Sequence, residues 1–277
     1  MKKAISFWAF PKNVTTIEQA FRMAKAAGFD GVELAISDVG ELTLDTTDEQ
    51  VLAIKALAER EGIELFSVAS SIYWRFPFTA NDPEIVATAM RYARRQIEVA
   101  RLLGCDSVLV VPGIVSGEGE PFGNIPYDVA YERAIACIKE LAPFAKANGI
   151  KLGVENVWNK FLLSPLEMRD FVDAAGDGVY AYFDAGNVLV SGYPDHWIDI
   201  LGKRICKVHV KDFKNKIGNI TGFVDLFAGD VDFKAVMAAL RRIGYDDFIT
   251  AEVSSYKAAP EILVDNVSRA MDKIFSL

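Results

Sequence analysis

The chain has 277 residues, 51% hydrophobic and 25% charged, a globular composition with enough apolar material for a large core. Its 38 acids against 30 lysines and arginines leave a net charge of −8, which excludes the broad positive field that gathers nucleic acid or an anionic membrane surface. Cys105, Cys137 and Cys206 stand far apart and in no paired spacing, so neither a disulfide framework nor a cysteine zinc site is expected, and a reducing cytoplasm is the expected compartment.

Met1-Lys2-Lys3 has the charge of a secretion signal, but the apolar stretch from Ala4 stops at Pro11 without a small-residue cleavage site. It reads instead as a first strand, Ala4–Trp8. From there strand and helix alternate. A helix over Thr16–Ala27 leads to a strand at Gly31–Ala35, a helix over Asp48–Glu61 to Ile63–Val68, and a helix over Pro83–Leu103 to Ser107–Val111. The helix Tyr127–Ala147 precedes Lys151–Glu155; strands follow at Tyr180–Asp184 and Ile205–Lys211, and the helix Asp232–Ile243 precedes the strand Phe248–Val253. Gly28, Gly104, Gly149 and Gly244 each follow a helical stretch, where a helix ends most easily on a residue of positive φ. No apolar run reaches the roughly 20 residues of a membrane-spanning helix, so a soluble protein is expected.

Eight such units with no linker-like stretch predict an α/β fold, a closed (β/α)8 TIM barrel forming one catalytic domain over 1–277. An open doubly wound sheet would share the alternation but should carry a glycine phosphate fingerprint. The nearest match, Gly117-Glu118-Gly119-Glu120-Pro121-Phe122-Gly123, has the wrong last spacing, holds two acids that repel phosphate, and runs on to Pro126. It is expected to be a mobile loop over the barrel mouth.

On such a barrel the chemistry gathers at the C-terminal ends of the strands. Four consecutive strands end in a metal-ligating type: Glu155 on the fifth, Asp184 on the sixth, His209 on the seventh and Glu252 on the eighth. Any one of these acids could cap a helix or pair with a lysine, and a lone histidine could be an ordinary core residue. Three buried carboxylates on one rim would repel strongly unless a cation compensated them. One divalent ion resolves that conflict, and the oxygen-rich set suits Mn2+, Mg2+ or Co2+, with Zn2+ also compatible; Mn2+ is the expected ion. His196, in the turn after Gly192-Tyr193-Pro194, is expected at the surface or in a cap. Trp8, Tyr73, Trp74 and Trp158 fall near strand ends, where they either wall the site with apolar rings or pack in the core.

Six segments, in order, then carry a resemblance: Gly28-Phe29-Asp30-Gly31-Val32-Glu33, Val154-Glu155-Asn156, Tyr182-Phe183-Asp184-Ala185-Gly186-Asn187, Val208-His209-Val210-Lys211-Asp212, Gly229-Asp230-Val231-Asp232-Phe233 and Ala251-Glu252. Over nearly its whole length the chain resembles the sugar phosphate isomerase/epimerase superfamily. These are the xylose isomerase-like barrels that include tagatose and psicose 3-epimerases and L-ribulose- or L-xylulose-5-phosphate 3-epimerases. The resemblance implies that Glu155, Asp184, His209 and Glu252 hold the metal and that Glu155 and Glu252 are also the acid/base pair. It further implies proton transfer at the carbon beside a keto-sugar's carbonyl through a cis-enediolate, with 3-epimerisation favoured over aldose-ketose isomerisation.

Two positions depart from the free-ketose 3-epimerases. Asn187 stands where those carry histidine, and Asn159-Lys160-Phe161-Leu162-Leu163 lacks their additional glutamate. Asn187, Lys211, Trp158 and Trp8 are the candidate substrate contacts, and Lys211, Lys214 and Lys216 form either a phosphate-reading cluster or a solvated basic loop. The expected partner is a small sugar or sugar phosphate, with homo-oligomerisation left open. Alternatives are a keto-glycoside epimerase, dehydratase or lyase on the same barrel, and a sugar-binding barrel without chemistry. The superfamily's DNA-repair endonuclease branch, with its histidine-rich three-zinc cluster, is disfavoured by two histidines and a net charge of −8.

Overall fold

The structure, a computed structural model, describes residues 1–11, 14–116 and 124–277. The segment Gly117–Gly123, expected over the barrel mouth, lies outside the described residues. Eight parallel strands close into a barrel in the order β1-β10-β7-β6-β5-β4-β3-β2. They are β1 (Lys2–Ser6), β2 (Gly31–Ile36), β3 (Ser67–Ser70), β4 (Ser107–Val110), β5 (Lys151–Glu155), β6 (Val179–Asp184), β7 (Ile205–Val210) and β10 (Phe248–Ala251). Among the described residues seven helices cross over between consecutive strands and an eighth follows β10: α1 (Ile17–Ala26), α2 (Asp48–Glu61), α3 (Pro83–Leu103), α4 (Tyr127–Ala147), α5 (Pro165–Ala175), α6 (Pro194–Leu201), α7 (Phe233–Arg242) and α8 (Leu263–Phe275). Their apolar faces bury the main core against the outside of the barrel.

The local signals in the sequence account for most helix ends. Thr16 with Gln19 and Thr47 with Gln50 form reciprocal capping boxes at α1 and α2. The expected glycine stops take positive φ: 82° at Gly28, 81° at Gly104, 71° at Gly149 and 68° at Gly244. The helices α5, α6 and α8 complete the eight units without having been given bounds from the sequence; proline at the first position opens the first two.

Several strand limits shift from expectation for a pairing reason. Strand β1 begins at Lys2 because Lys2 and Lys3 pair with Phe248 and Ile249. It ends at Ser6, whose hydroxyl accepts from the Trp8 N–H and turns the chain into a short 3-10 segment, Phe7–Ala9. Strand β3 starts only at Ser67, since Glu64 makes no more than an isolated bridge to Gly31. Strand β10 stops at Ala251, leaving Glu252 just past it with its N–H donated to the Val210 carbonyl.

After β7 the chain forms an unpredicted hairpin, β8 (Asp212–Phe213) against β9 (Phe223–Val224). The Asp212 carboxylate accepts from the N–H groups of Phe213, Gly229 and Val231. Asp232 next caps α7 by accepting from Ala235. Two of the six resembling segments therefore meet here and shape the loop that follows the seventh barrel strand.

The barrel lumen is layered. Near the N-terminal ends Phe66 stacks on Phe248 with centroids 3.9 Å apart, and Lys207 reaches Asp106 at 2.8 Å and Asp247 at 2.6 Å. Ala69, Leu109, Tyr182 and Cys206 fill the middle. Among the described residues no helix is long and apolar enough to cross a membrane.

Candidate active site

Asp184 and His209 face each other across β6 and β7 because of one irregularity. The register runs Ala181↔Ile205, then skips Cys206 so that Tyr182 meets Lys207 and Asp184 meets His209. Without that skip Asp184 would oppose Val208, whose side chain points to the other face. Glu155 closes β5, and Glu252 follows β10. One donor atom from each of Glu155, Asp184, His209 and Glu252 lies within 4.8 Å of the others. The structure thus brings together all four residues expected from the strand ends.

Neighbouring amides hold this rim. Asn156 Nδ2 donates to the Asp184 carbonyl at 2.8 Å while the Asp184 N–H donates to Asn156 Oδ1 at 2.9 Å, which ties β5 to β6. The Asn187 N–H donates to Asp184 Oδ1 at 2.8 Å, and its side-chain amide donates to the Asn156 carbonyl at 2.9 Å. Gly186 permits this turn, because a Cβ there would stand 2.5 Å from Lys211 Cγ and 2.8 Å from the Lys211 carbonyl oxygen.

The remaining donor atoms converge without hydrogen bonds. Asp184 Oδ2, His209 Nδ1 and Glu252 Oε2 are buried and have no hydrogen-bond partner, three of the six such side-chain atoms among the described residues. His209 Nδ1 lies 3.0 Å from Glu252 Oε2 and 3.4 Å from Glu155 Oε1, and Lys211 Nζ lies 2.8 Å from Glu252 Oε2 and 3.2 Å from Asp184 Oδ2. These approaches are ion pairs without hydrogen-bond alignment. Three carboxylates and one imidazole with orphaned atoms facing a common centre fit a divalent cation.

The electrostatics describe the same need for positive charge. Burial pushes the Glu155 carboxyl up to about 7, with Glu252 adding to the shift and His209 opposing it. Burial raises Asp184 to about 6 against the pull of Lys211. Burial would raise Glu252 too, but Lys211 and His209 hold it well below the usual carboxylate range. His209 is driven well above the ordinary imidazole value: burial disfavours its charge, and Glu33, Glu155 and Glu252 more than reverse that.

A cleft of about 1070 Å3 opens above the cluster. Trp8, Trp158, Asn187 and Lys211, the predicted substrate contacts, all line it, as do Trp74 and Trp197, so all four tryptophans of the chain meet at this opening. Trp158 packs edge-on against Phe213 and donates its indole N–H to the Asn187 carbonyl at 3.1 Å. Tyr73 does not belong to the wall; it is fully buried and donates to Gln96 at 2.6 Å. Lys214 and Lys216 are exposed and do not line the cleft, so the three lysines after β7 do not act as one cluster. His196 is exposed within the first turn of α6 rather than in the turn before it.

Sequence reasoning assigned no role to Glu33. Its side chain is fully buried in β2, and the carboxylate accepts from His209 Nε2 at 2.8 Å and from the Tyr182 hydroxyl at 2.5 Å. An ionisable residue within the apolar run Gly31-Val32-Glu33-Leu34-Ala35 was the available signal.

The L-ribulose-5-phosphate 3-epimerase UlaE of Shigella flexneri is 26% identical over 254 residues, 86% of this chain and 81% of the relative. The D-psicose 3-epimerase of Clostridium cellulolyticum H10, solved with D-tagatose, superposes with a TM-score of 0.81 at 19% identity, covering 99% of this chain and 98% of that one. The IolI protein, solved with a bound zinc atom, superposes with a TM-score of 0.79 at 18% identity, covering 100% and 98% of the two chains. The family model described as the xylose isomerase-like TIM barrel matches residues 21–273, and the chain belongs to that family.

Proposed function

We propose that this protein is a divalent-metal-dependent isomerase that epimerises a keto-sugar or its phosphate at the carbon beside the carbonyl, with 3-epimerisation favoured. The observation that carries this reading is the convergence of Glu155, Asp184, His209 and Glu252, with three orphaned donor atoms, under the cleft of about 1070 Å3. The names of the relatives, sugar 3-epimerases, support it. We take the four residues as the metal ligands and Mn2+ as the favoured ion. A divalent ion held there supplies Lewis acidity that acidifies the C–H next to the substrate's carbonyl. Glu155 and Glu252 would move the protons: one, ionised, takes the C–H proton, leaving a cis-enediolate, and the other, entering the step as the carboxylic acid, gives its own proton to the opposite face, so that the two exchange protonation states in each turnover. Asn187, Lys211, Trp158 and Trp8 orient the sugar. The whole chain works as one catalytic domain in the cytoplasm, and its partner is a small molecule rather than nucleic acid or a membrane.

The test is incubation of Mn2+-loaded protein in deuterated water with a panel of ketopentoses, ketohexoses and their 5- or 6-phosphates. Deuterium should enter the carbon beside the carbonyl of one substrate, with its epimer accumulating; a loaded protein that exchanges no C–H overturns the reading. Replacing Glu155 or Glu252 by Gln should lower the rate by about 10²–10⁴-fold, the usual contribution of a positioned acid or base. A second reading, a keto-glycoside as substrate, is favoured by the tryptophans Trp8, Trp74 and Trp158 that line the cleft. Product analysis with keto-glycosides separates the two.

A further inference from the structure

Glu33 occupies a place that neither the ligand set nor the cleft explains. Strand β2 lies three positions from β7 and four from β6 around the eight-strand ring, so its side chain spans the lumen to reach both. Its carboxylate stands 2.8 and 3.1 Å from His209 Nε2 and 2.5 Å from the Tyr182 hydroxyl, and all three residues are fully buried. A carboxylate in that position only accepts, so Nε2 is the ring nitrogen that carries a hydrogen toward it. The other nitrogen, Nδ1, has no hydrogen-bond partner and faces Glu155, Asp184 and Glu252.

Resting on the reading that the four rim residues hold a metal, we propose that Glu33 is a positioning residue for that site. It fixes the imidazole of His209 with Nδ1 presented to the ion and Nε2–H turned away. Tyr182 is its partner: by donating to the same carboxylate from the opposite wall, it holds Glu33 in line with the ring. A ligand imidazole whose second nitrogen donates to a carboxylate is both oriented and made a stronger donor, and loss of such a partner costs about 10–100-fold in metal affinity.

The experiment measures Mn2+ dissociation constants, by competition with a chelator, for the wild type, Glu33→Gln, Glu33→Ala and Tyr182→Phe. Glu33→Gln keeps shape and an accepting oxygen and should weaken binding about 10-fold, Glu33→Ala about 100-fold, and Tyr182→Phe less than either. If Glu33→Ala does not fold, Glu33→Gln decides the matter. A second readout is nitrogen-15 imidazole NMR of the Zn2+-loaded protein, in which only two histidines contribute signals. The wild type should show His209 protonated at Nε2 with a slowly exchanging proton, and Glu33→Gln should shift that proton and hasten its exchange. Wild-type Mn2+ affinity in Glu33→Gln and Glu33→Ala overturns the proposal while leaving the metal site standing; a loaded wild-type ring protonated at Nδ1 overturns the proposal together with His209 as a ligand. A wild-type chain that takes up no Mn2+ overturns both.

Discussion

Lys211 is a cation held where the site most needs one. Its amine lies between Glu252 and Asp184, and those acids keep its own pKa above the ordinary lysine value although burial opposes the charge. It therefore carries part of the positive charge that balances the acids of this rim. The titrations have a definite sign. Glu155, raised to about 7, and Asp184, raised to about 6, hold protons in the metal-free fold that the unfolded chain has released, so their effect is to lower stability as pH rises from about 4.5 to 7. His209, raised, contributes stability that is full below about 6.5 and is lost as pH climbs through its folded value, the same direction. Ligation needs both carboxylates ionised, so Mn2+ binding should release more protons at pH 6 than at pH 8 and tighten between the two. Calorimetric titration in buffers of different ionisation enthalpy checks this; proton release that is flat across pH 6–8 would contradict it. At this scale Glu155, Asp184, His209 and Glu252 were legible because each ends an apolar strand in a polar residue. Glu33 was not, because its meaning depends on residues 149 and 176 positions away.

Strand β7 serves two ends of the barrel at once. Its His209 faces the rim, while Lys207, 1% exposed, is clasped by Asp106 and Asp247 at the opposite end. Burial alone would raise the Asp106 carboxyl, but Lys207 and Lys151 hold it below the usual range. A depressed acid adds stability above its unfolded pKa of about 3.9 and loses it as pH falls through the folded value. Lys207→Met should cost about 1–3 kcal/mol at pH 7, less than a fully buried pair because the two acids remain partly solvated, and the difference from wild type should shrink below about pH 4. Urea unfolding at both pH values measures it. The loss should leave Mn2+ affinity unchanged, since the pair lies at the far end of the strand. The skip at Cys206 was not readable beforehand: Ile205-Cys206-Lys207-Val208-His209 looks like plain alternation, and a bulge is set by the partner strand's register. The hairpin of β8 and β9 escaped for a similar reason: its two-residue strands are too short to show a period, and Asp212 is tied to the N–H groups of Gly229 and Val231, 17 and 19 positions on.

The molecule as a whole has a barrel whose rim is charged and whose cleft gathers every tryptophan in the chain. A ligand that binds only the folded state stabilises it by mass action, about 2.7 kcal/mol at a hundredfold excess over Kd. Mn2+ should therefore raise the melting temperature of chelator-stripped protein by several degrees, and an equal melting point with and without Mn2+ would speak against a bound ion. The sequence by itself determined the alternation of eight strands with helices, most helix caps and the four rim residues, because periodicity, capping residues and strand-end polarity are local properties of the chain. Only the tertiary structure decided that Asp184 and His209 share a face, that Lys211 folds back onto the acids while Lys214 and Lys216 do not, and that Glu33 crosses the lumen to His209. Each of these depends on strand register and on closure of the ring, which bring together residues that no local pattern connects.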